Sequence, residues 1–295
     1  MTAVAARIAI VSAISAFGQD ADTPLLVDAL GRRGARVEHL AWDDTSVSWG
    51  RFDAVLLRSP WDYTSRLEAF LAWAHRCAAA TRLFNGDGVL AWNADKRYLA
   101  DLAGRGIATV PTAWAAPGEP PRLPGSGEFV VKPAVGAGSR GARRFAPDQH
   151  EAAIAHAAAI AVDGAWVMVQ PYLEGVDILG ERALVHFDGR FSHAVRKAAM
   201  LAADGSVTCS LKSPATVSPV QATRDEQAFA RRVIDAAQAH LGLDRPPLYA
   251  RVDLLPGNGE PCLLELELIE PSLFLDTDPA SAARLADALK ARLGA

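Results

Sequence analysis

Alternating hydrophobic and polar positions are most regular between Leu248 and Leu275, in the stretch LYARVDLLPGNGEPCLLELELIEPSLFL. Two such runs flank the PGNG sequence at 256–259, which predicts a β-hairpin. If odd positions face odd positions, Asp253, Glu265 and Glu267 project from one face. The opposite face then carries Val252, Leu254, Leu264, Leu266 and Leu268. The pattern therefore predicts one core face and one face with three carboxylates.

The three carboxylates repel one another and raise each other's pKa unless a cation neutralises them. Hard oxygen ligands suit Mg²⁺, which commonly shares its remaining positions with nucleotide phosphates. A solvated strand face balanced by Arg251 and other basic residues explains the same pattern. Features elsewhere in the chain must decide between a metal site and a polar surface.

The first third of the chain alternates strand and helix patterns. Apolar runs predict strands at Arg7–Val11, Ala35–Leu40 and Asp53–Leu57, with a helix opened by Thr23-Pro24. The third run, DAVLL, is apolar throughout, as expected for a parallel strand covered on both faces. This part therefore predicts an open α/β unit, in which ligands bind at the carboxyl ends of the strands.

Polar and aromatic residues crowd the loop after this third strand, RSPWDY at 58–63. Such a group at the carboxyl end of a strand favours recognition of a small molecule. We expect a substrate to contact Arg58, Ser59, Asp62 and Tyr63. The alternative is a helix start, with Ser59 as N-cap and Pro60 as the first helical residue.

A second candidate site begins with the strand Glu128–Pro133, which carries Lys132 and runs into the glycine-rich sequence GAGSRG at 136–141. Backbone amides in such a loop can surround phosphate oxygens, and a buried ammonium needs a partner. The loop matches neither GxxxxGK[ST] nor a dinucleotide fold with its acidic ribose residue. Lys96 is predicted in the first turn of a helix, where a cation hints at a bound anion. A mobile turn and a surface lysine are the alternatives.

Two later segments extend this picture. The strand Trp166–Gln170 runs into a proline-containing linker that resembles a hinge. Backbone groups there could contact a purine edge, and the Asp177 carboxylate could contact ribose hydroxyls. An ordinary connection between strands is the alternative. The segment Glu181–Lys197 predicts a hairpin with its turn at Asp188-Gly189. We expect Arg182 and Lys197, at its two ends, to point into a phosphate site.

Amphipathic patterns predict four further helices, and one irregular segment is a candidate lid. The helices are Leu67–Ala80, Glu151–Val162, Arg224–Leu241 and Pro279–Leu293. The candidate lid spans Lys212 to Gln221. The proline-rich stretch after Pro111 predicts a loop-rich boundary.

Composition narrows the class of protein. The chain has 295 residues, half of them hydrophobic, and a formal net charge of −4, which gives no basis for binding nucleic acid or an anionic membrane. Cys77, Cys209 and Cys262 lack CxxC spacing, so we expect free thiols and a cytoplasmic protein. Arg7 interrupts the apolar start of the chain, which argues against a signal peptide.

Taken in order, these motifs resemble the ATP-grasp superfamily over essentially the whole chain. The resemblance implies an α/β N-terminal domain followed by an ATP-grasp fold, in which two α+β subdomains clamp ATP. We place the three parts at 1–93, 94–175 and 176–295. Relatives of this size imply a homo-oligomer.

The resemblance also implies roles for particular residues. Lys96 and Lys132 would contact the phosphates, and the loop from Gly136 through Gly138 and Ser139 to Gly141 would close over them. The remaining nucleotide contacts would be Gln170, Tyr172 and Leu173 at adenine and Asp177 at the ribose. The catalytic cations would be Arg182, Lys197 and Arg251.

For the metal, the family's aspartate and E-x-N pattern becomes Asp253 with Glu265-Leu266-Glu267, so glutamate replaces the usual asparagine. Two Mg²⁺ ions are expected. Glu270 is a candidate substrate contact and an alternative to Glu267 as the last metal ligand.

Within the superfamily, the motifs SPWDY, WNADKRYL, FSHAVRK and LLELELIEPSLFL are similar to cyclo-ligases of D-cycloserine biosynthesis. That resemblance implies ATP-dependent ring closure of a small amino-acid-like carboxylate, O-ureido-D-serine, through an acyl phosphate. An intermolecular carboxylate–amine ligase, glutathione synthetase-like or peptide-forming, is the alternative. A nucleotide-binding protein without catalysis is the third reading, which the retained lysines and acids disfavour.

Overall fold

The computed structural model describes residues 5–162, 164–173, 175–201, 217–255 and 261–294. Within them the chain forms three sheets, one after another along the sequence. The predicted turn at 256–259, Cys209 and the part of the candidate lid before Val217 lie outside the described residues.

The first sheet has three parallel strands in the order β2-β1-β3, which confirms the predicted α/β unit. Its elements are β1 (Arg7–Ser12), α1 (Asp22–Gly31), β2 (Arg36–Ala41), β3 (Ala54–Ser59), α2 (Leu67–Ala80) and α3 (Asp87–Asn93). Every residue of β3 is buried, as its apolar sequence predicts for a covered parallel strand.

The second sheet has four antiparallel strands in the order β4-β7-β5-β6. Its elements are β4 (Ala113–Ala115), β5 (Phe129–Pro133), β6 (Arg143–Phe145), α5 (His150–Ala161) and β7 (Val167–Pro171), and the helix α4 (Tyr98–Ala103) precedes them in the chain but packs in a different core. The stretch after Pro111, predicted to be loop-rich, thus contributes the short strand β4. Because α4 begins at Tyr98, Lys96 precedes the helix and the prediction of its first-turn position was wrong.

The third sheet has five strands in the order β10-β9-β8-β11-β12. Its elements are α6 (Gly175–Leu179), β8 (Glu181–Phe187), β9 (Arg190–Lys197), β10 (Val217–Val220), α7 (Arg224–Leu241), β11 (Tyr249–Leu255), β12 (Cys262–Glu267) and α8 (Ser281–Leu293). The C-terminal part of the predicted lid is therefore the edge strand β10, where Pro219 is tolerated. The bounds of α7 agree with the amphipathic pattern, and Thr223 and Glu226 form its capping box.

The acidic hairpin has the predicted register at its open end, with Arg251 opposite Glu267 and Asp253 opposite Glu265. A β-bulge after Asp253 then pairs Leu254 with Leu263. Leu263 is consequently the buried core residue, whereas Leu264 turns to the other face. The prediction that Leu264 lines the core was wrong for this reason.

The first and third sheets share a hydrophobic core, in which Ile8 and Leu26 pack with Val185 and Leu289. The second sheet has a separate core around Phe129, with Phe145 and Ala157. The functional cleft lies where the second sheet faces this shared body. No helix in the described ranges is long and apolar enough to cross a membrane.

Candidate active site

A cleft of about 880 Å³ brings together residues from all three parts of the chain. Lys132 and Asp253, far apart in the sequence, both line it. The sequence-predicted residues that line it are Tyr63, Lys96, Lys132, Gly136, Gly138, Ser139, Gln170, Tyr172, Leu173, Lys197, Arg251, Asp253, Glu265, Glu267 and Glu270. The cleft is the candidate active site.

Two lysines and one glutamate form the first part of the site. Lys132 Nζ lies 2.9 Å from Glu265 Oε1, and Lys96 Nζ lies 3.9 Å from the same oxygen while donating a 2.6 Å hydrogen bond to the Gly136 carbonyl. Burial would raise the pKa of Glu265, but the ammonium groups of Lys96 and Lys132 outweigh it and lower the pKa to about 2. Glu265 thus balances both lysines, and an anionic ligand can replace it as their partner.

The glycine-rich loop beside these lysines has a left-handed backbone at three positions, Gly138, Ser139 and Gly141. A Cβ at Gly141 would lie 3.1 Å from Pro133 Cδ, so glycine is needed there for both conformation and space. Gly141 supports the loop without lining the cleft. The loop carries Ala137, Gly138 and Ser139 along the cleft wall, close to Lys96 and Lys132.

Apolar side chains form another part of the wall, around Gln170 and Leu173. Leu255 and Leu264, which the sequence analysis did not assign to the site, line it with Val110. Gln170 Nε2 donates to Thr112 Oγ1 at 2.9 Å. This combination of apolar side chains and an amide group can hold a heterocyclic base.

Asp177, predicted to bind a ribose, does not line the cleft. Its carboxylate accepts hydrogen bonds from Arg144 Nη1 at 3.0 Å and from the Tyr172 hydroxyl at 2.5 Å. The Arg144 guanidinium also lies 3.5 Å above the Tyr172 ring. Asp177 therefore positions Tyr172 within this cluster and is corrected from a ribose contact to a supporting residue.

Buried ion pairs dominate the floor of the cleft. Lys197 Nζ lies 2.6 Å from Glu181 and 2.7 Å from Asp253, and the side chains of Lys197 and Arg251 are only 3% exposed. Arg251 pairs with Asp253 at 2.8 Å and with Glu267. Burial disfavours the charge on Asp253, but Arg251 and Lys197 outweigh it and lower its pKa. Lys197 and Arg251 are thus two buried cations, each held by two carboxylates at the floor of the cleft.

Arg182, predicted to point into this site, lies outside it. Its side chain donates to the Gln221 carbonyl at 2.7 Å and pairs with Glu226 at 3.1 Å. A β-bulge between β8 and β9 places Glu181 opposite Lys197 and Arg182 opposite Arg196. Arg182 consequently faces away from Lys197, and Glu181, which the sequence analysis missed, occupies the cleft position.

The carboxylates predicted to bind Mg²⁺ face the same cleft, yet each forms an ion pair with a lysine or an arginine. Among the described residues, no group of three or more His, Cys, Asp or Glu side chains has the arrangement of a metal site. Burial, with Asp253 and Glu265 nearby, raises the pKa of Glu267 despite the Arg251 guanidinium. Carboxylate oxygens are donors that suit Mg²⁺, so the donor type fits, although each of these carboxylates is paired with a cation in the described residues.

Three of the predicted substrate contacts are structural instead. Arg58 is 1% exposed and donates to the Pro271 carbonyl at 2.7 Å and to Asp22 at 3.2 Å. Ser59 ends β3 and hydrogen-bonds to Ser12 Oγ at 2.6 Å, and Asp62 accepts from Trp42 Nε1 at 2.9 Å. None of the three lines the cleft. The alternative with Ser59 as a helix cap was also wrong, because α2 begins only at Leu67.

Tyr63 and Glu270 do meet in the cleft, where the Tyr63 hydroxyl hydrogen-bonds to the Glu270 carboxyl. Burial, together with the charge of Glu267, raises the pKa of Glu270 to about 8. Trp61 and Asp20 also line this end of the cleft and were missed. The position of Asp20 after β1, at the carboxyl end of a parallel sheet, is the signal that could have found it.

The segment from Pro271 to Leu275 shows what Arg58 does. Besides the bond from Arg58 to Pro271, Arg251 donates to the Ser272 carbonyl at 3.0 Å. Asp22 accepts from the amides of Leu273 and Leu275 at 2.6 and 2.7 Å. These bonds fix the segment along the cleft beside Glu270.

Comparisons with known proteins agree with this architecture. Residues 8–85 match the family model "D-cycloserine synthetase DcsG, N-terminal domain". The cycloserine biosynthesis protein DcsG of Streptomyces lavendulae is 41% identical over 287 residues, 93% of this chain and 94% of that protein.

Solved structures extend the comparison to the whole fold. The crystal structure of D-cycloserine synthetase DcsG has a TM-score of 0.91 at 39% identity and covers 97% of this chain and 99% of its own. The structure of D-alanine–D-alanine ligase from Bacillus anthracis complexed with ATP has a TM-score of 0.68 at 16% sequence identity. It covers 98% of this chain and 97% of its own. The structure of ATP-grasp ligase PsnB with Mg and ADP has a TM-score of 0.63 at 17% sequence identity and covers 98% of each chain. At these identities, the two ligases show only that the fold is shared. The chain therefore belongs to the family of D-cycloserine synthetase DcsG, and it is an ATP-dependent ligase of the ATP-grasp type that forms a C–N bond.

Proposed function

We propose that the protein closes O-ureido-D-serine to D-cycloserine, using ATP to activate the substrate carboxylate. The 41% identity to a cycloserine biosynthesis protein over nearly the whole chain carries this proposal. The cleft supports it, because its lysines and arginine suit a nucleotide and a carboxylate, whereas Tyr63 and Glu270 suit an amino-acid-like group.

In the first step, a carboxylate oxygen of the substrate attacks the γ-phosphorus of ATP, giving an acyl phosphate and ADP. Lys96 and Lys132 exchange Glu265 for phosphate oxygens. Lys197 and Arg251 stabilise the negative charge that develops as the phosphoryl group moves. The protein contributes position and charge and forms no covalent bond.

In the second step, the ring nitrogen of the same molecule attacks the acyl carbon and displaces phosphate. The carbamoyl group leaves with one water molecule as carbon dioxide and ammonia, which balances the reaction. Loop Gly136–Gly141 and the segment near Trp61 exclude other water from the acyl phosphate. Tyr63 and Glu270 orient the substrate from the opposite wall.

Asp253, Glu265 and Glu267 would hold Mg²⁺, which would neutralise phosphate charge when bound. Glu265 becomes available when the lysines move to phosphate oxygens. Of the three carboxylates, Glu267 would be stabilised most by a bound cation, because burial and the neighbouring acids disfavour its charged form. Asp253 would share its oxygens between the metal and the cations Lys197 and Arg251.

The test is ADP release with O-ureido-D-serine as the sole second substrate, followed by identification of the product. Stoichiometric ADP and D-cycloserine support the proposal. Strict dependence on an added amine would replace it with an intermolecular ligase. ATP binding without ADP release for any carboxylate would leave only nucleotide binding.

A further inference from the structure

The glycine-rich loop is tied to the first part of the chain through Arg140. The guanidinium of Arg140 donates from Nη2 to the Trp61 carbonyl at 2.5 Å and lies 3.3 Å from the Thr64 hydroxyl. Arg140 is exposed, so burial does not account for its position. A charged donor shared between a carbonyl and a hydroxyl is a directed contact of the kind that arginine forms well.

The two loops joined by this contact serve different ligands under the proposed function. One carries Gly138 and Ser139 past the lysines of the phosphate site. The other carries Trp61 and Tyr63, and the Tyr63 hydroxyl reaches Glu270 at the substrate end. Arg140 therefore spans the boundary between the nucleotide half and the substrate half of one cleft.

The remaining bonds of the glycine-rich loop go elsewhere. Lys96 holds the Gly136 carbonyl at 2.6 Å, and His156 bonds to the Gly141 carbonyl at 2.9 Å. Both anchors sit at the ends of the loop and neither reaches the first sheet. Two backbone turns shape the tip between them, from the Arg140 amide to the Ala137 carbonyl at 3.3 Å and from the Ala142 amide to the Ser139 carbonyl at 3.1 Å. The side chain of Arg140 ties this turn to the first part of the chain, at Trp61 and Thr64.

We propose that Arg140 is a positioning residue that couples closure of the glycine-rich loop over the nucleotide to ordering of the Trp61–Thr64 loop at the substrate. This inference rests on the proposed function for the identity of the substrate, but the contact itself does not. When phosphate fixes the glycine-rich loop, Arg140 holds the Trp61 carbonyl and places Tyr63 against Glu270. When a substrate fixes the Trp61 loop, the same bond holds the other loop closed.

The first test uses hydrogen–deuterium exchange with AMPPNP and Mg²⁺ and needs no substrate. In the wild-type protein, AMPPNP should slow exchange in peptides covering both 136–142 and 60–66. In Arg140→Ala it should slow exchange in 136–142 but leave 60–66 as in the free protein. Arg143→Ala is the matched control, because Arg143 is an exposed arginine on β6 that lies over Phe145. In Arg143→Ala, AMPPNP should slow exchange in both 136–142 and 60–66, as in the wild-type protein.

Protection of 60–66 by AMPPNP in Arg140→Ala, or its absence in the wild-type protein, would overturn the coupling. Thr64→Val separates the two halves of the contact, since it removes the hydroxyl and keeps the Trp61 carbonyl. It should retain protection of 60–66. Arg140→Lys keeps the charge but lacks the planar fork, and it should lose most of that protection.

The second test uses turnover of O-ureido-D-serine. Arg140→Ala should release at least about five ADP per D-cycloserine, against one for wild type and Arg143→Ala, because an open loop admits water to the acyl phosphate. The KM for O-ureido-D-serine should rise about tenfold, within the usual range of coupling between sites. One ADP per product in Arg140→Ala would refute the coupling. If wild-type protein makes no D-cycloserine, the proposed substrate fails, and the exchange result still decides the role of Arg140.

Discussion

The exchange of partners at Lys132 gives the sharpest prediction. Lys132 Nζ lies 2.9 Å from Glu265, and the two side chains are 13% and 20% exposed. If ADP phosphates replace Glu265, Lys132→Met removes a charge-assisted hydrogen bond of about 1.5–3 kcal/mol. Metal-free ADP binding should then weaken by roughly 10- to 100-fold. Glu265→Gln should leave metal-free binding unchanged or tighter, because ADP no longer displaces a carboxylate from the lysine.

The assay is isothermal titration of ADP in EDTA, which separates the lysine from any metal contribution, repeated with Mg²⁺. Lys290→Met is the matched control, since Lys290 is an exposed lysine near the end of α8. Its ADP affinity should equal that of wild type. With Mg²⁺ present, Glu265→Gln should bind ADP more weakly than wild type does, although in EDTA it should not.

Equal weakening of metal-free ADP binding in the two variants would refute competition between Glu265 and the phosphates for Lys132. That result would mean that Glu265 organises the site instead of competing with the phosphates. Unchanged affinity in Lys132→Met would remove Lys132 from the phosphate site altogether.

Three further predictions concern residues in the cleft and one that supports it. Glu267→Gln should lower kcat by about tenfold or more with little change in ADP affinity in EDTA, and unchanged kcat would remove Glu267 from the proposed metal site. Arg58→Met should reduce the free energy of unfolding in urea by about 3 kcal/mol, because Asp20 and Asp22 lose a buried cation, and a loss well below 1 kcal/mol would contradict the ion-pair role. The raised pKa of Glu270, about 8, means that the folded protein binds more protons than the unfolded chain between pH 4.5 and 8, so this residue makes stability fall as pH rises. Glu270→Gln should therefore gain Tm relative to wild type from pH 5 to pH 8, and a pH-independent difference would rule this out.

Strand alternation predicted the acidic face well, because the side-chain period of a strand needs only the hydrophobic pattern. Asp253, Glu265 and Glu267 accordingly lie in one cleft. The errors at Leu264 and Arg182 have a common cause, a β-bulge that adds one residue to one strand. Counting from the Asp188-Gly189 turn without a bulge places Arg182 on the same face as Lys197. No local sequence signal marks the extra residue.

Arg58 shows a different limit. A sequence can show that a charged residue follows a strand, but its partners come from residues distant in the chain. Asp22 lies 36 residues away and the Pro271 carbonyl 213 residues away. These contacts turned a predicted substrate contact into a support for the segment beside Glu270.

The shared core of the first and third sheets also affects how the chain matures on the ribosome. Leu26 and Leu30 of α1 are covered by Leu285 and Leu289 of α8, and Arg33 pairs with Asp287. At roughly 5–20 residues per second, synthesis of the intervening chain takes on the order of tens of seconds. During that time α1 can pack on Ile8 and Leu56 of its own sheet but lacks the cover that α8 provides, whereas the second sheet can complete its own core. Nascent chains of this protein should therefore need protection from aggregation at the first sheet until α8 emerges.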